Sequence, residues 1–328
     1  MVAIDQKRLS IINENFKNKR ILIIGDLMLD EYLIGNVIRI SPEAPVPVVE
    51  VAEQQVRFGG AANVALNVTA MGCIPVLVGV LGNDREADIF SNLMIEHNMD
   101  DSGLLRLDRR HTTVKTRVIG HSQHITRVDR ETKEYLSEQE ERTLINLIID
   151  QIDGVDGIIL QDYNKGVLTE KVIFETIAVA RAKDKLITVD PKFINFHKFS
   201  NVSLFKPNIK ETEEALAIKI SSEQDLLDAG QRLLKILNPE SVLITRGPAG
   251  MSLFEASGAI THIPTQARKI ADVSGAGDTV ISTLTAALIG DASYQEAAII
   301  ANFAAGIVCE EVGIVPIDKE KLMKVCCG

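Results

Sequence analysis

A series of short, nearly unbroken apolar runs constrains the fold of this chain more than any other feature. They are RILIIGD at residues 20–26, PVLVGVL at 75–81, GIILQ at 157–161, LITVD at 186–190 and SVLITRG at 241–247. Such runs are too brief for buried helices and lack the polar alternation of a strand with one wet face, so they read as strands covered on both sides. Between them, apolar residues recur at helical spacing, as in Val64, Val68 and Met71, or in Ala87, Phe90 and Met94 behind Asp84 as a cap. Strand, loop and helix repeating in this way predict an α/β fold with a mainly parallel sheet between helical layers. The loops that follow parallel strands share one edge, where residues distant in sequence meet.

The candidate functional residues fall at those strand ends. Asp26 and Asp30 follow the first run, which reads as a strand feeding a loop. DYNKG, with Asp162, Asn164 and Lys165, follows the third, Lys192 the fourth, and Thr245 and Gly247 close the fifth. Gly59, Gly60 and Asn63 open as a glycine loop that becomes a helix; the glycines leave room for a ligand against backbone, and the Asn amide can both donate and accept toward hydroxyls. Asn208 and Glu211 begin another helix, and Asn302 and Gly306 lie on a late one. For each of these a turn, a cap, a packing position or a solvated side chain is the rival reading.

A different pattern marks Gly275, Ala276, Gly277 and Asp278, where small residues precede an acid and then Val280, Leu284, Ala287 and Leu288 at helical spacing. This is a helix N-terminus reached through a thin turn, and its unpartnered N–H groups and dipole favour an anion. Asp278 is then either a simple cap or the group that receives a proton while the N–H groups hold developing charge. Neither a P-loop spelling, a protein-kinase motif set nor a dinucleotide-binding glycine fingerprint is present.

Residues 31–40, 46–53 and 113–120 do not fit the alternation. They are β-like, with Pro45 and Pro47 bending the second, and predict a small sheet outside the main one. Arg39, Arg57 and Arg117 are its candidates to face a negative substrate. His111, His121 and His124 are irregularly spaced without neighbouring cysteines and do not read as a metal site.

ADVSGAGDT at 271–279 and FGGAANVALN at 58–67 resemble the C-terminal and N-terminal signatures of the ribokinase-like carbohydrate kinases, with the resemblance running from about residue 18 to 322. GDLMLDEY at 25–32, RISPEAPVPVV at 39–49 and LQDYNKG at 160–166 further resemble the bacterial heptose 7-phosphate kinases of the ADP-heptose pathway. In DYNKG, Asn164 stands where the family more often has glycine, and Asn tolerates the left-handed backbone that glycine would adopt there.

The resemblance implies one domain over residues 1–328, a three-layer α/β/α kinase whose β lid, from about 31–53 and 113–120, covers the sugar and joins two copies. It implies ATP and Mg2+ as cofactors and transfer to O1 of D-glycero-β-D-manno-heptose 7-phosphate, giving the 1,7-bisphosphate for lipopolysaccharide core synthesis. Asp278 would be the proton acceptor beside the Gly275, Ala276 and Gly277 anion cradle. Asp30, Gly59, Gly60, Asn63, Arg117, Asp162, Lys165 and Lys192 would bind the sugar phosphate. Asn208, Glu211, Thr245, Gly247, Asn302 and Gly306 would line the nucleotide side, Glu211 meeting the metal directly or through water. Another sugar or sugar-phosphate kinase of this fold, or a catalytically idle sugar-binding protein, are the alternatives. The adenylyltransferase domain fused to some relatives is expected to be a separate protein.

A formal charge of −10 with no Trp argues against a nucleic-acid or anionic-membrane surface, and no uncharged stretch is long enough to cross a bilayer. Cys73, Cys309, Cys326 and Cys327 lack paired metal spacing and fit a reducing cytoplasm; Cys326 and Cys327 read as thiols on a frayed tail.

Overall fold

The structure is a computed structural model and describes residues 4–121, 123–266, 271–311 and 313–327. Along the chain it forms α1 (Gln6–Phe16), β1 (Arg20–Ile40), β2 (Pro47–Gly60), α2 (Ala61–Met71), β3 (Ile74–Gly82), α3 (Arg85–Glu96), β4 (Leu104–Leu107), β5 (Thr113–Gly120) and β6 (Gln123–Arg130). There follow α4 (Glu138–Ile152), β7 (Gly157–Gln161), α5 (Glu170–Ala182), β8 (Leu186–Asp190), β9 (Leu204–Phe205), α6 (Ile209–Leu216) and α7 (Glu223–Leu237). The last part contains β10 (Ser241–Thr245), β11 (Met251–Glu255), β12 (Ile260–Ile263), α8 (Ala276–Ile289), α9 (Tyr294–Cys309) and α10 (Lys319–Cys326).

The central sheet runs in the order β12-β11-β10-β9-β8-β7-β1-β3-β4, parallel except for β11, which runs against both β10 and β12. The apolar runs are its strands, buried on both faces as their unbroken character requires. Side chains alternate between two cores. Ile21 and Ile23 face the layer with α1, α2, α8 and α9, whereas Leu22 and Ile24 face the layer with α4, α5 and α7.

Contrary to the expectation that β1 ends in a loop at Asp26, the strand continues to Ile40. Its first part pairs with β3 and β7; beyond Asp26 it exchanges them for β2, antiparallel, and β5, parallel. The change of partner, not a turn, accounts for the switch from a continuous apolar run to a mixed one. β6 pairs with β5, so the small sheet has the order β2-β1-β5-β6 and includes residues 123–130, beyond the lid ranges expected. Gly59 and Gly60 are correspondingly not a loop but the last residues of β2, opposite Met28 and Leu27.

The C-terminus also departs from expectation. Asp318 caps α10 through the Lys321 N–H, and Leu322 and Cys326, one turn apart, are both fully buried. Cys326 is therefore a core residue, and burial pushes its thiol up to about 12; Cys327 is exposed. Among the described residues no helix is long and apolar enough to cross a membrane.

Candidate active site

Asp278 lies in the first turn of α8, behind Gly275 at the N-cap. Gly275 has φ +79°, a left-handed conformation that a side chain would strain, and it directs the start of the helix toward the C-terminal ends of β7 and β8. The Gly277 and Asp278 N–H groups have no hydrogen-bond partner among the described residues, as the first turn of a helix predicts. An added Cβ at Gly277 would approach nothing closer than Asp190 Oδ2 at 3.7 Å and Lys206 Nζ at 3.8 Å, so the turn has room before it.

The carboxylate of Asp278 is buried and held by three donors. Asn63 Nδ2 donates to Oδ2 at 2.7 Å, while the Tyr163 hydroxyl at 2.7 Å and Gln161 Nε2 at 3.2 Å donate to Oδ1. Burial raises its pKa to about 6 against the lowering effect of Asn63 and Tyr163, with Asp190 raising it and Lys206 lowering it. An acid so placed is ionised above pH 6 yet close enough to neutrality to take a proton. Burial and the nearby Asp278 and Asp190 push Tyr163 well above the ordinary phenol value, which keeps its hydroxyl a donor. Next to this group Gln161 Nε2 also donates to Asp190, which pairs with Lys206 at 3.1 Å, both buried.

At this site the buried amide oxygens Asn63 Oδ1 and Gln161 Oε1 have no hydrogen-bond partner among the described residues. Unpaired buried acceptors are costly. Standing on two of the three residues that hold Asp278, they suit a ligand that brings hydroxyl donors.

Asp30 and Asp26 part company although they share β1. Asp30 is buried in an ion pair with Arg117 of β5, and an added Cβ on Gly59 would stand 2.2 Å from its Oδ2, so the glycine there makes room for this carboxylate. Asp26 instead accepts the backbone N–H groups of Tyr163 at 2.7 Å, Lys165 at 3.1 Å and Val167 at 3.3 Å. It is thus the clasp of the DYNKG loop that aims Tyr163 at Asp278. Asp162 serves the same loop: its oxygens take the Asn164 N–H at 2.7 Å and the Asn195 amide at 3.0 Å, and burial followed by the neighbouring Asp26 raises its pKa. Asn164 has φ +54°, the left-handed conformation expected of it.

Lys165 is paired with Glu131, and Lys192 with Glu211. Burial alone would lower Lys192, but Asp190 and Glu211 more than offset it and its pKa is raised. Glu211 closes a capping box with Asn208: the Asn208 N–H donates to Glu211 Oε2 at 2.9 Å and the Glu211 N–H to Asn208 Oδ1 at 2.8 Å. Arg57 donates to the Ile314 carbonyl at 2.9 Å and Arg39 is exposed near the far end of β1.

On the other side of the α8 N-terminus a mainly apolar cavity of about 190 Å³ is lined by Thr245, Gly247, Val273, Ala276, Gly277, Asn302, Gly306 and Cys309, among others. Asn302 Nδ2 donates to the Pro264 carbonyl at 2.8 Å, fixing the segment after β12 against α9. Asn208 bridges to Thr245, which brings the capping box next to this cavity. The structure therefore gathers Asp278, Asn63, the GAG turn, Lys192, Glu211 and the β10 end around one strand edge, while Asp162 and Lys165 are occupied within their loop and its surroundings.

Sequence reasoning missed Gln161, Tyr163, Asp190, Lys206 and Lys115. The role of each depends on a neighbour at least 16 positions away, which no local pattern records.

This arrangement, a helix end with unpartnered N–H groups between an apolar cavity and two unpaired amide oxygens, with a buried acid at the junction, has the chemistry that phosphoryl transfer to a hydroxyl requires. Residues 18–320 match the pfkB family carbohydrate kinases, and the chain belongs to that family. Among similar curated proteins are the "Bifunctional protein HldE" of Desulfatibacillum aliphaticivorans, 41% identical over 307 residues covering 94% of this chain and 63% of that protein, and that of Helicobacter pylori strain J99, 42% identical and covering 90% and 64%. The chain thus spans a little under two thirds of the length of these relatives. Among solved structures, Escherichia coli phosphofructokinase-2 in complex with potassium has a TM-score of 0.77 at 19% identity, covering 94% of this chain and 98% of that one. Arabidopsis thaliana ribokinase complexed with ribose and ATP has a TM-score of 0.74 at 14% identity, covering 94% and 99%. These two establish the ribokinase-like α/β fold.

Proposed function

We propose that this carbohydrate kinase uses ATP and Mg2+ to phosphorylate D-glycero-β-D-manno-heptose 7-phosphate at O1, yielding the 1,7-bisphosphate that leads to ADP-heptose. The observation that carries the kinase chemistry is Asp278, buried beside two unpartnered helix N–H groups and two unpartnered amide oxygens. The heptose segments GDLMLDEY and LQDYNKG, together with the relatives named HldE, support the substrate.

The residues fit the cofactors. The cavity beside Thr245 and Asn302 suits a nucleoside, and the GAG turn suits its phosphates. Both oxygens of Glu211 are engaged, by Lys192 and by the Asn208 N–H, so it would meet Mg2+ through water, in keeping with an ion that retains several waters and binds substrate phosphates. ATP supplies the phosphoryl group, and Mg2+ offsets charge on the phosphates.

The chain's own residues then act as follows. The hydroxyls of the sugar satisfy Asn63 Oδ1 and Gln161 Oε1. As O1 attacks phosphorus its proton passes to Asp278, which Asn63 and Tyr163 hold in place, and the Gly277 and Asp278 N–H groups face the charge that develops. The small sheet excludes water, the competing acceptor. Exposed Ile38, Ile40, Val51 and Val128 on that sheet support pairing of two copies through it.

The test is transfer from ATP to a panel of heptose 7-phosphate, heptose, fructose 6-phosphate and ribose, beside Asp278→Asn. Preference for heptose 7-phosphate and a loss of about 10³-fold in kcat for the variant are expected. Preference for another sugar would reject the substrate, and turnover retained by the variant would reject the proton acceptor.

A further inference from the structure

The cations around the site are not equivalent. Arg117 is paired with Asp30, Arg127 with Asp129, Lys165 with Glu131, Lys192 with Glu211 and Lys206 with Asp190. Lys115 has no ion pair and no side-chain hydrogen bond among the described residues. Its ammonium is half-buried over the ring of Tyr163, 5.4 Å from the centroid. Lys115 lies on β5 opposite Asp30 in the register with β1, hence on the lid side of Tyr163 and away from the β10 and α9 cavity.

Withdrawing a cation from water without a partner is unfavourable, and burial lowers the pKa of Lys115 accordingly, against weaker support from Asp30. The neighbouring carboxylates do not offset this, being bound to Arg117, Arg127 and Lys165. An anion from solution would.

We infer that Lys115 binds the phosphate group already present on the sugar substrate, with Tyr163 as the spacer between that phosphate and Asp278. The inference rests on the reading of this site as a sugar-phosphate kinase. It transfers the anion-binding role from Arg117, Lys165 and Lys192, which are neutralised by carboxylates, to a residue with no motif of its own. The Lys192 ammonium lies 5.6 Å from the centroid of the same ring but is tied to Glu211, which places it with the capping box and the nucleotide side.

Lys115→Met tests this by steady-state kinetics and by calorimetry of heptose 7-phosphate binding, with inorganic phosphate as a competing probe. The expected result is a rise of about 10–100-fold in the KM and Kd for the phosphosugar, with the KM for ATP within about twofold of the parent and competition by inorganic phosphate abolished. Unchanged phosphosugar binding would overturn the inference, as would equal losses for ATP and phosphosugar. If the parent protein phosphorylates no sugar, the kinase reading fails on its own. Calorimetry then decides separately: phosphosugar affinity lost in Lys115→Met upholds the anion site, and affinity retained rejects it.

Discussion

Residues 21–30 of β1 are buried without a break, whereas residues 36 and 38–40 of the same strand are exposed. The first stretch is floor, between two helical layers; the second belongs to the small sheet, the proposed lid, with only β2 and β5 beside it. On the floor, polar groups are few, and those away from the substrate side are held by backbone donors, as Asp26 is by three. In the lid, charge is abundant and mostly paired at half-exposed positions, as with Arg127 and Asp129. In the proposed reading, the rigid floor would hold Asp278 to within the tolerance chemistry demands, while the lightly packed small sheet would change its contacts when substrate arrives. Tyr163 joins the two, anchored from below by Asp26 and touched from the lid by Lys115.

The sharpest way to break this comparison is Asp26→Ala. It strands buried backbone N–H groups under the DYNKG loop, so unfolding in denaturant should show a loss of roughly 3–5 kcal/mol, with activity falling alongside. A loss below about 1 kcal/mol would mean that the floor is not built around this clasp. Next, Ile24→Ala and Ile38→Ala place the same truncation in both halves of one strand. The floor variant should cost about 2–5 kcal/mol and the lid variant less than about 0.5 kcal/mol. A larger cost at Ile38 would show that a second copy covers the lid face. A milder effect than that of either floor variant belongs to Tyr163→Phe, which leaves the ring and removes the hydroxyl. Because that hydrogen bond lowers the pKa of Asp278, its loss should raise it. The acid limb of the kcat profile, expected near pH 6 in the parent, should move to higher pH with kcat down by about tenfold. An unmoved limb would disconnect Tyr163 from the acceptor.

Much of the floor was legible in the sequence, because strands buried on both faces must be written as apolar runs, and the GAGD helix start must be written in small residues. The lid was legible only in part. The continuity of β1 at Asp26 was invisible because Asp26 and Asp30 look like loop residues until antiparallel and parallel partners, supplied by residues 47–60 and 113–120, join them to the β-like stretch at 31–40. Asp26 and Asp30 could not be told apart for the same reason: one meets backbone N–H groups from 163–167, the other a guanidinium from β5. Lys115 carried no signal at all, since what singles it out is the pairing of its neighbours. Cys326 did carry one. Asp318, Leu322 and Cys326 have the spacing of a cap and one helical face, which a reading of the end as frayed passed over.

The passage of β1 through both sheets also sets an order in time. The strands of the small sheet all lie within residues 20–130, whereas the acid proposed as proton acceptor is residue 278. A chain leaving the ribosome can therefore pair β1 with β2 through a short connection long before β7, α8 or the nucleotide cavity exists. The cover of this enzyme is made before the vessel, and the nascent chain carries an exposed, half-built sheet until the sequence around residue 160 arrives to seat its other end.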